Sequence, residues 1–121
     1  MASVEGAKLT THVLDTAHGK PAFGMKVALF RLEGSARVSI KSATTNEDGR
    51  LPEPLLVGID LVSGIYELEF HVAEYFRSLG APLAEPPFLN VVPIRVGLTA
   101  GEKYHVPLLV SPWSFSTYRG S

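Results

Sequence analysis

An all-β sandwich with one short helix is the fold this sequence predicts, and three observations carry that reading. Short apolar or alternating runs recur along the chain, separated by Gly, Pro and Asn/Asp turn signals. Only Ala73 to Leu79 reads as a helix, roughly two turns ended by Gly80 and Pro82. A parallel α/β sheet needs a helix at each crossover, and seven or eight strands with one helix cannot supply them. The expectation is therefore two antiparallel sheets packed face to face.

The elements follow in order. Lys8 to Asp15 reads as a strand, with Thr10, His12 and Leu14 on one side and Leu9, Thr11 and Val13 on the other. A loop with Gly19 and Pro21 leads to a second apolar run, Lys26 to Leu32. Glu33-Gly34-Ser35 turns the chain into Arg37 to Thr45, where Val38 and Ile40 alternate with Ser39 and Lys41. Asn46-Glu47-Asp48-Gly49 is a strong turn signal, because Asn and Asp bond locally and Gly accepts positive φ. Pro52 and Pro54 make Leu51 to Val57 irregular. Gly64 to Val72 is the clearest strand. Its Tyr66, Leu68, Phe70 and Val72 face the core, and Glu67, Glu69 and His71 face solvent. Asn90 to Val96 holds Pro93, which predicts an edge strand or a bulge. Lys103 to Ser111 and Trp113 to Arg119, joined around Pro112, complete the set.

A chain of 121 residues, 45% hydrophobic and 19% charged, fits one domain with a real core. Residues 1–7 are expected to be disordered and 8–121 to form the domain. A net charge of −1 gives no electrostatic footprint for nucleic acid. No apolar stretch approaches the ~20 residues that span a bilayer, so no membrane partner is expected. The first residues lack the basic and apolar regions of a signal peptide. With no cysteine, disulfides and cysteine-based zinc sites are excluded. The cytoplasm is the expected compartment.

Strand parity places the polar residues. Val106, Leu108 and Val110 make the better core set of their strand, which leaves His105 on the outer face with Pro107 and Leu109. The same argument turns His12 outward. An outer face of His, Pro, Leu and Tyr is not typical solvated surface, and points to a cleft or a subunit interface. Tyr118-Arg119-Gly120-Ser121 follows an aromatic-rich terminal strand. With His12, Arg50 and His105 it supplies a cation, hydroxyls and imidazoles, the polar groups of a hydrolytic site. Taken singly each His reads as a surface residue, and His18 and His71 stay in that class. A zinc reading of His12 and His105 finds no third ligand at a recognisable spacing.

Four segments carry a family resemblance. Leu9-Thr10-Thr11-His12-Val13-Leu14-Asp15-Thr16 with Gly19-Lys20-Pro21-Ala22 resembles the N-terminal motif of 5-hydroxyisourate hydrolases, the transthyretin-related proteins. Thr45 to Arg50 resembles their Arg-bearing turn. Tyr104 to Pro112 and Ser116 to Ser121 resemble their C-terminal signature. The resemblance covers about residues 8 to 121. Transthyretins, the hormone carriers of the same family, have Lys in place of His12, Glu in place of Arg50 and Thr in place of His105, and lack the Tyr-Arg-Gly-Ser end.

The resemblance implies a transthyretin-like sandwich of two four-stranded sheets and a homotetramer built as a dimer of dimers. Its active sites would lie in a central channel. It implies hydrolytic opening of 5-hydroxyisourate in urate degradation, to 2-oxo-4-hydroxy-4-carboxy-5-ureidoimidazoline, without metal or organic cofactor. His12, Arg50 and His105 would be catalytic, and Tyr118, Gly120 and Ser121 would bind substrate. Either His could activate water. Arg50, with its planar fork, would polarise the substrate. Arg119, of opposite parity to Tyr118, reads as structural. A small-ligand carrier without catalysis is the alternative.

Overall fold

The computed structural model describes residues 5–120 and shows a two-sheet sandwich with one short helix. The described residues form nine strands: β1 (Lys8–Asp15), β2 (Lys20–Pro21), β3 (Lys26–Glu33), β4 (Ala36–Thr44), β5 (Leu56–Val57), β6 (Gly64–His71), β7 (Val91–Leu98), β8 (Lys103–Val110) and β9 (Phe115–Thr117). The helix α1 (Val72–Ser78) follows β6 directly. One sheet runs β2-β1-β8-β9, with β5 added against β1; the other runs β4-β3-β6-β7. Of the segment expected to be disordered, residues 1–4 lie outside the described residues, Glu5 and Gly6 form a turn, and Ala7 is buried.

The expectation of two purely antiparallel sheets needs correction. β1 and β8 run parallel, in register from Lys8↔Lys103 to Asp15↔Val110. A parallel pair needs a long crossover, and here the whole second sheet serves as that connection. Two short strands stand where the sequence predicts a loop, β2, and an irregular stretch, β5; each pairs with β1 over only two residues. β9 is shorter than the expected Trp113 to Arg119. Before it, the Ser111 amide donates to the Ser114 carbonyl at 2.9 Å, and the Ser114 amide donates to Ser111 Oγ at 3.1 Å, which closes a turn.

The core lies between the sheets, as parity predicted. Leu9 and Val13 of β1 and Leu108 and Val110 of β8 meet Val27 and Leu29 of β3 and Leu68 and Phe70 of β6, all fully buried. Each such side chain contributes about 1.5–3 kcal/mol on leaving water. Thr11 shares the inner face and satisfies its hydroxyl on the Val106 carbonyl at 2.6 Å. β4 behaves otherwise. Its alternation does not mark a buried face: Val38 and Ile40 are exposed, because β4 is an edge strand and a bulge opposite Leu29/Phe30 skips Ile40.

The outer face of β6 is also less wet than expected. Glu67 is buried, because Arg37 from β4 and Arg95 from β7 both close on its carboxylate at 3.3 Å. Arg37 reaches Glu69 as well and lies over the Phe30 ring. His71 is half-buried beside Glu74, at 3.8 Å.

Asp15 ties the end of β1 to the helix. Its carboxylate, within the core, accepts hydrogen bonds from the Tyr75 hydroxyl, the His18 amide and His18 Nδ1 at 2.7–2.9 Å. Burial alone would raise the pKa of Asp15, but the hydrogen bonds from Tyr75 and His18 outweigh it and hold it below the ordinary value. Burial, then the neighbouring Asp15, push the Tyr75 phenol up. A depressed carboxylate pKa stabilises the fold above the unfolded-state value near 3.8, and that contribution is lost as pH falls through the folded-state value. Among the described residues no helix is long and apolar enough to cross a membrane.

Candidate active site

Register brings the two histidines together. β1 and β8 are neighbours, and Thr10 stands directly opposite His105. His12, two residues further along the same face, has its ring centre 6.5 Å from that of His105. Both side chains are half-buried on the outer face, where parity put them.

Arg50 arrives from the turn after β4. Asn46 organises that turn: its Oδ1 accepts from the Asp48 and Arg50 amides at 2.9 and 3.2 Å. The turn lies across β1, with the Val13 amide donating to the Gly49 carbonyl at 2.8 Å and a bridge between His12 and Arg50. Gly49 makes the approach possible. It has φ +77°, and an added Cβ would stand 2.3 Å from the Val13 carbonyl oxygen. We expect Gly49→Ala to cost on the order of 1–3 kcal/mol from backbone strain and to displace Arg50. Thermal unfolding beside an activity assay checks this, and an unchanged Tm with parental activity is the contrary result.

The two imidazoles are held differently. His12 Nε2 lies 2.8 Å from the Asp48 carbonyl oxygen. A carbonyl can only accept, so Nε2 carries the proton and Nδ1 is the open nitrogen. His105 Nδ1 lies 2.8 Å from Thr10 Oγ1, and among the described residues its Nε2 has no hydrogen-bond partner. Burial first, then the charges of Arg50 and His12, hold the pKa of His105 below the usual histidine value of 6.5. A lowered pKa keeps this imidazole neutral, with a free lone pair, at neutral pH.

Arg50, Thr10 and His105 line one recess of about 420 Å³ with Lys8, Leu51 and Pro54. A second recess of about 330 Å³ shares Lys8, Thr10 and His105 and adds Lys103, Arg119 and Gly120. Among the described residues no three His, Asp or Glu side chains cluster as metal ligands would.

The chain end divides between two places. Gly120 does lie at the site: its amide donates to the His105 carbonyl at 2.7 Å, and its backbone packs against the imidazole. Arg119 holds it there. The Arg119 guanidinium donates to the Lys103 carbonyl at 3.1 Å, approaches Glu102 at 3.7 Å and lies over the Tyr104 ring. Tyr118 lies elsewhere within one chain. It lines a different groove, with Ile94, Val96 and Leu98 of β7, and does not join His12, Arg50 and His105 within this chain. The cause is local: Thr117 bonds the Pro107 carbonyl at 2.7 Å, which leaves Tyr118 on the flank facing β7. Ser121 lies outside the described residues.

Thr10 and Lys8 are the site residues the sequence reading missed. Parity had already put Thr10 on the face of His12, but its contact with His105 depends on a parallel register that no local pattern reveals.

Known proteins resemble this chain over nearly its whole length. 5-Hydroxyisourate hydrolase of Mesorhizobium japonicum is 55% identical over 97% of this chain and 94% of its own length. The mouse protein of the same name is 42% identical over 98% of this chain and 99% of its own. Among solved structures, 5-hydroxyisourate hydrolase of Klebsiella pneumoniae superposes with a TM-score of 0.79 at 30% identity, covering 95% of this chain and 99% of that one. An (S)-allantoin synthase gives a TM-score of 0.91 at 46% identity over 99% of this chain, which spans only 46% of the synthase. Sea bream transthyretin in complex with thyroxine, 22% identical with a TM-score of 0.84, shares the fold over 94% of this chain and 95% of that one. Residues 9–120, which hold the paired strands, the Arg50 turn and the Gly120 contact, match as one unit, and the chain belongs to the HIUase/Transthyretin family.

Proposed function

We propose that this protein hydrolyses 5-hydroxyisourate to 2-oxo-4-hydroxy-4-carboxy-5-ureidoimidazoline. The observation that carries the reading is the convergence of His12, Arg50 and His105, from three separate segments, on one outer face. Full-length relatives bearing the hydrolase name support it.

The reaction adds water across a ring C–N bond. His105 Nε2 takes a proton from water as the hydroxide oxygen bonds the ring carbonyl carbon. Arg50 faces the carbonyl oxygen, where charge develops, with its fork of N–H donors. The C–N bond then breaks, the carbon becomes a carboxyl group, and the departing nitrogen takes a proton from an imidazolium. The lowered pKa of His105 favours it as the base. His12, its Nε2–H held by Asp48, stands beside it as the second proton carrier.

The working form is a homotetramer, a dimer of dimers in the cytoplasm. The outer strands β7 and β9 leave edges unpaired within one chain, and Trp113, Phe115 and Tyr118 are exposed beside β9. The test is ultraviolet decay of fresh 5-hydroxyisourate, made by urate oxidase, with and without this protein. Decay well above the spontaneous rate is expected, and light scattering should give about four times 13.1 kDa. Decay at the spontaneous rate defeats the hydrolase reading, and a fully active monomer defeats the assembly.

A further inference from the structure

We propose that Thr10 and Gly120 are the positioning residues of His105. The Thr10 hydroxyl holds the Nδ1 side of the ring, the Gly120 backbone closes on the Cδ2 side, and Nε2 is left as the working nitrogen. Nδ1 and Cδ2 are the two ring atoms bonded to Cγ, so contacts on both fix rotation about the Cβ–Cγ bond. Thr10 Oγ1 is 2.8 Å from Nδ1. On the other flank an added Cβ at Gly120 would stand 2.7 Å from Cδ2, closer than such atoms come, so only glycine lets this backbone lie against the ring.

The hydroxyl also selects the tautomer. A threonine oxygen can donate or accept, so Nδ1 alone does not decide it. The Tyr104 carbonyl, 3.5 Å from Thr10 Oγ1, gives the hydroxyl proton a second acceptor. With that proton turned to Tyr104, the oxygen accepts from Nδ1–H, and the lone pair of the neutral ring sits on Nε2. His12 is wired the other way round, its Nε2–H on Asp48 and its Nδ1 open. The paired rings thus present different nitrogens, fixed by different partners.

The kinetic side of this inference rests on the hydrolase reading; the spectroscopic side does not. The protein is labelled with 15N-histidine, and the His105 ring signals are identified by their loss in His105→Gln. Above the ring pKa the parent should show Nδ1 protonated and Nε2 bare. Thr10→Val, which keeps shape and loses the hydroxyl, should move His105 toward the Nε2–H form. Its kcat should fall ~10- to 100-fold, the scale of a misplaced catalytic group, with KM within about threefold. Thr10→Ser should restore both tautomer and rate. Gly120→Ala should lower kcat by pushing the ring. A parent in the Nε2–H form overturns the proposal, and that measurement needs no variant to fold. Parental tautomer and rate in Thr10→Val overturn it too. If the parent fails to open the ring but the His105 signals still move in Thr10→Val, the hydrolase reading falls and the positioning of His105 stands.

Discussion

His105→Ala should reduce the ring-opening rate by ~100- to 10,000-fold, the range that general acid–base help usually supplies. The change removes the imidazole whose Nε2 is free and whose neutral form is favoured by burial and by the charges of Arg50 and His12. Its backbone contact with Gly120 uses the carbonyl and survives the substitution, so the fold should be kept. The pH profile supplies an independent check. A depressed histidine pKa means the active, unprotonated form persists below 6.5. The acid limb of kcat/KM in the parent should therefore lie below that value, with a plateau by neutral pH. The same sign governs stability, since protonating His105 opposes the fold and its contribution fades as pH falls through the folded-state pKa. A rate within about threefold of the parent in His105→Ala, or an acid limb above 6.5, would remove this residue as the base.

Deleting Tyr118 to Ser121 should give a folded but nearly inactive protein. The core residues Val106, Leu108 and Val110 are untouched, and β9 ends before the cut. What goes is the Arg119 anchor on Lys103, Glu102 and Tyr104, and with it the Gly120 backbone against His105. Circular dichroism should retain the β spectrum, with Tm lower by a few degrees for about 1 kcal/mol of lost contacts. Hydrolysis should fall ~100-fold, the cost of a catalytic group held about 1 Å out of place. Arg119→Ala alone should show a milder form of the same defect, because Gly120 keeps its own bond to the His105 carbonyl. Normal turnover by the truncated protein would show that His105 needs no support from the chain end.

Much of this architecture was legible because strands write a period of two into sequence. The alternation of Tyr66, Leu68 and Phe70 marks the buried side of β6, and Val106, Leu108 and Val110 mark that of β8 together with the outward turn of His105; Val72, expected to end β6, is buried as the first residue of α1. The Asn46 to Gly49 turn was equally plain, since few residues other than glycine tolerate its φ. Pairing was not legible. Whether β1 meets β8 parallel or antiparallel depends on how distant segments stack, and this hid the Thr10 to His105 contact. The burial of Glu67 was hidden for the same reason. Nothing local to β6 says that Arg95 stands on adjacent β7 and that Arg37 reaches Glu67 from β4, across β3. Tyr118 shows the limit of parity, because beyond β9 the chain has left the sheet and alternation no longer assigns a side.

The parallel pairing of β1 with β8 has a consequence for biosynthesis. Thr10 and His105 are 95 residues apart in the chain, and so are Thr11 and Val106, whose side-chain hydrogen bond helps to join the two strands. Long-range pairings of this kind slow folding, because the entropy of closing so large a loop is lost before any contact rewards it. While the ribosome is still adding β8, β1 has its short partners β2 and β5 but lacks its long one. The nascent chain therefore carries His12 and the Arg50 turn without the strand that completes them. Appearance of hydrolytic activity during refolding should lag behind formation of the β4-β3-β6-β7 sheet, whose strands are closer neighbours in sequence. Activity in this protein thus reports that the two ends of its fold have found each other.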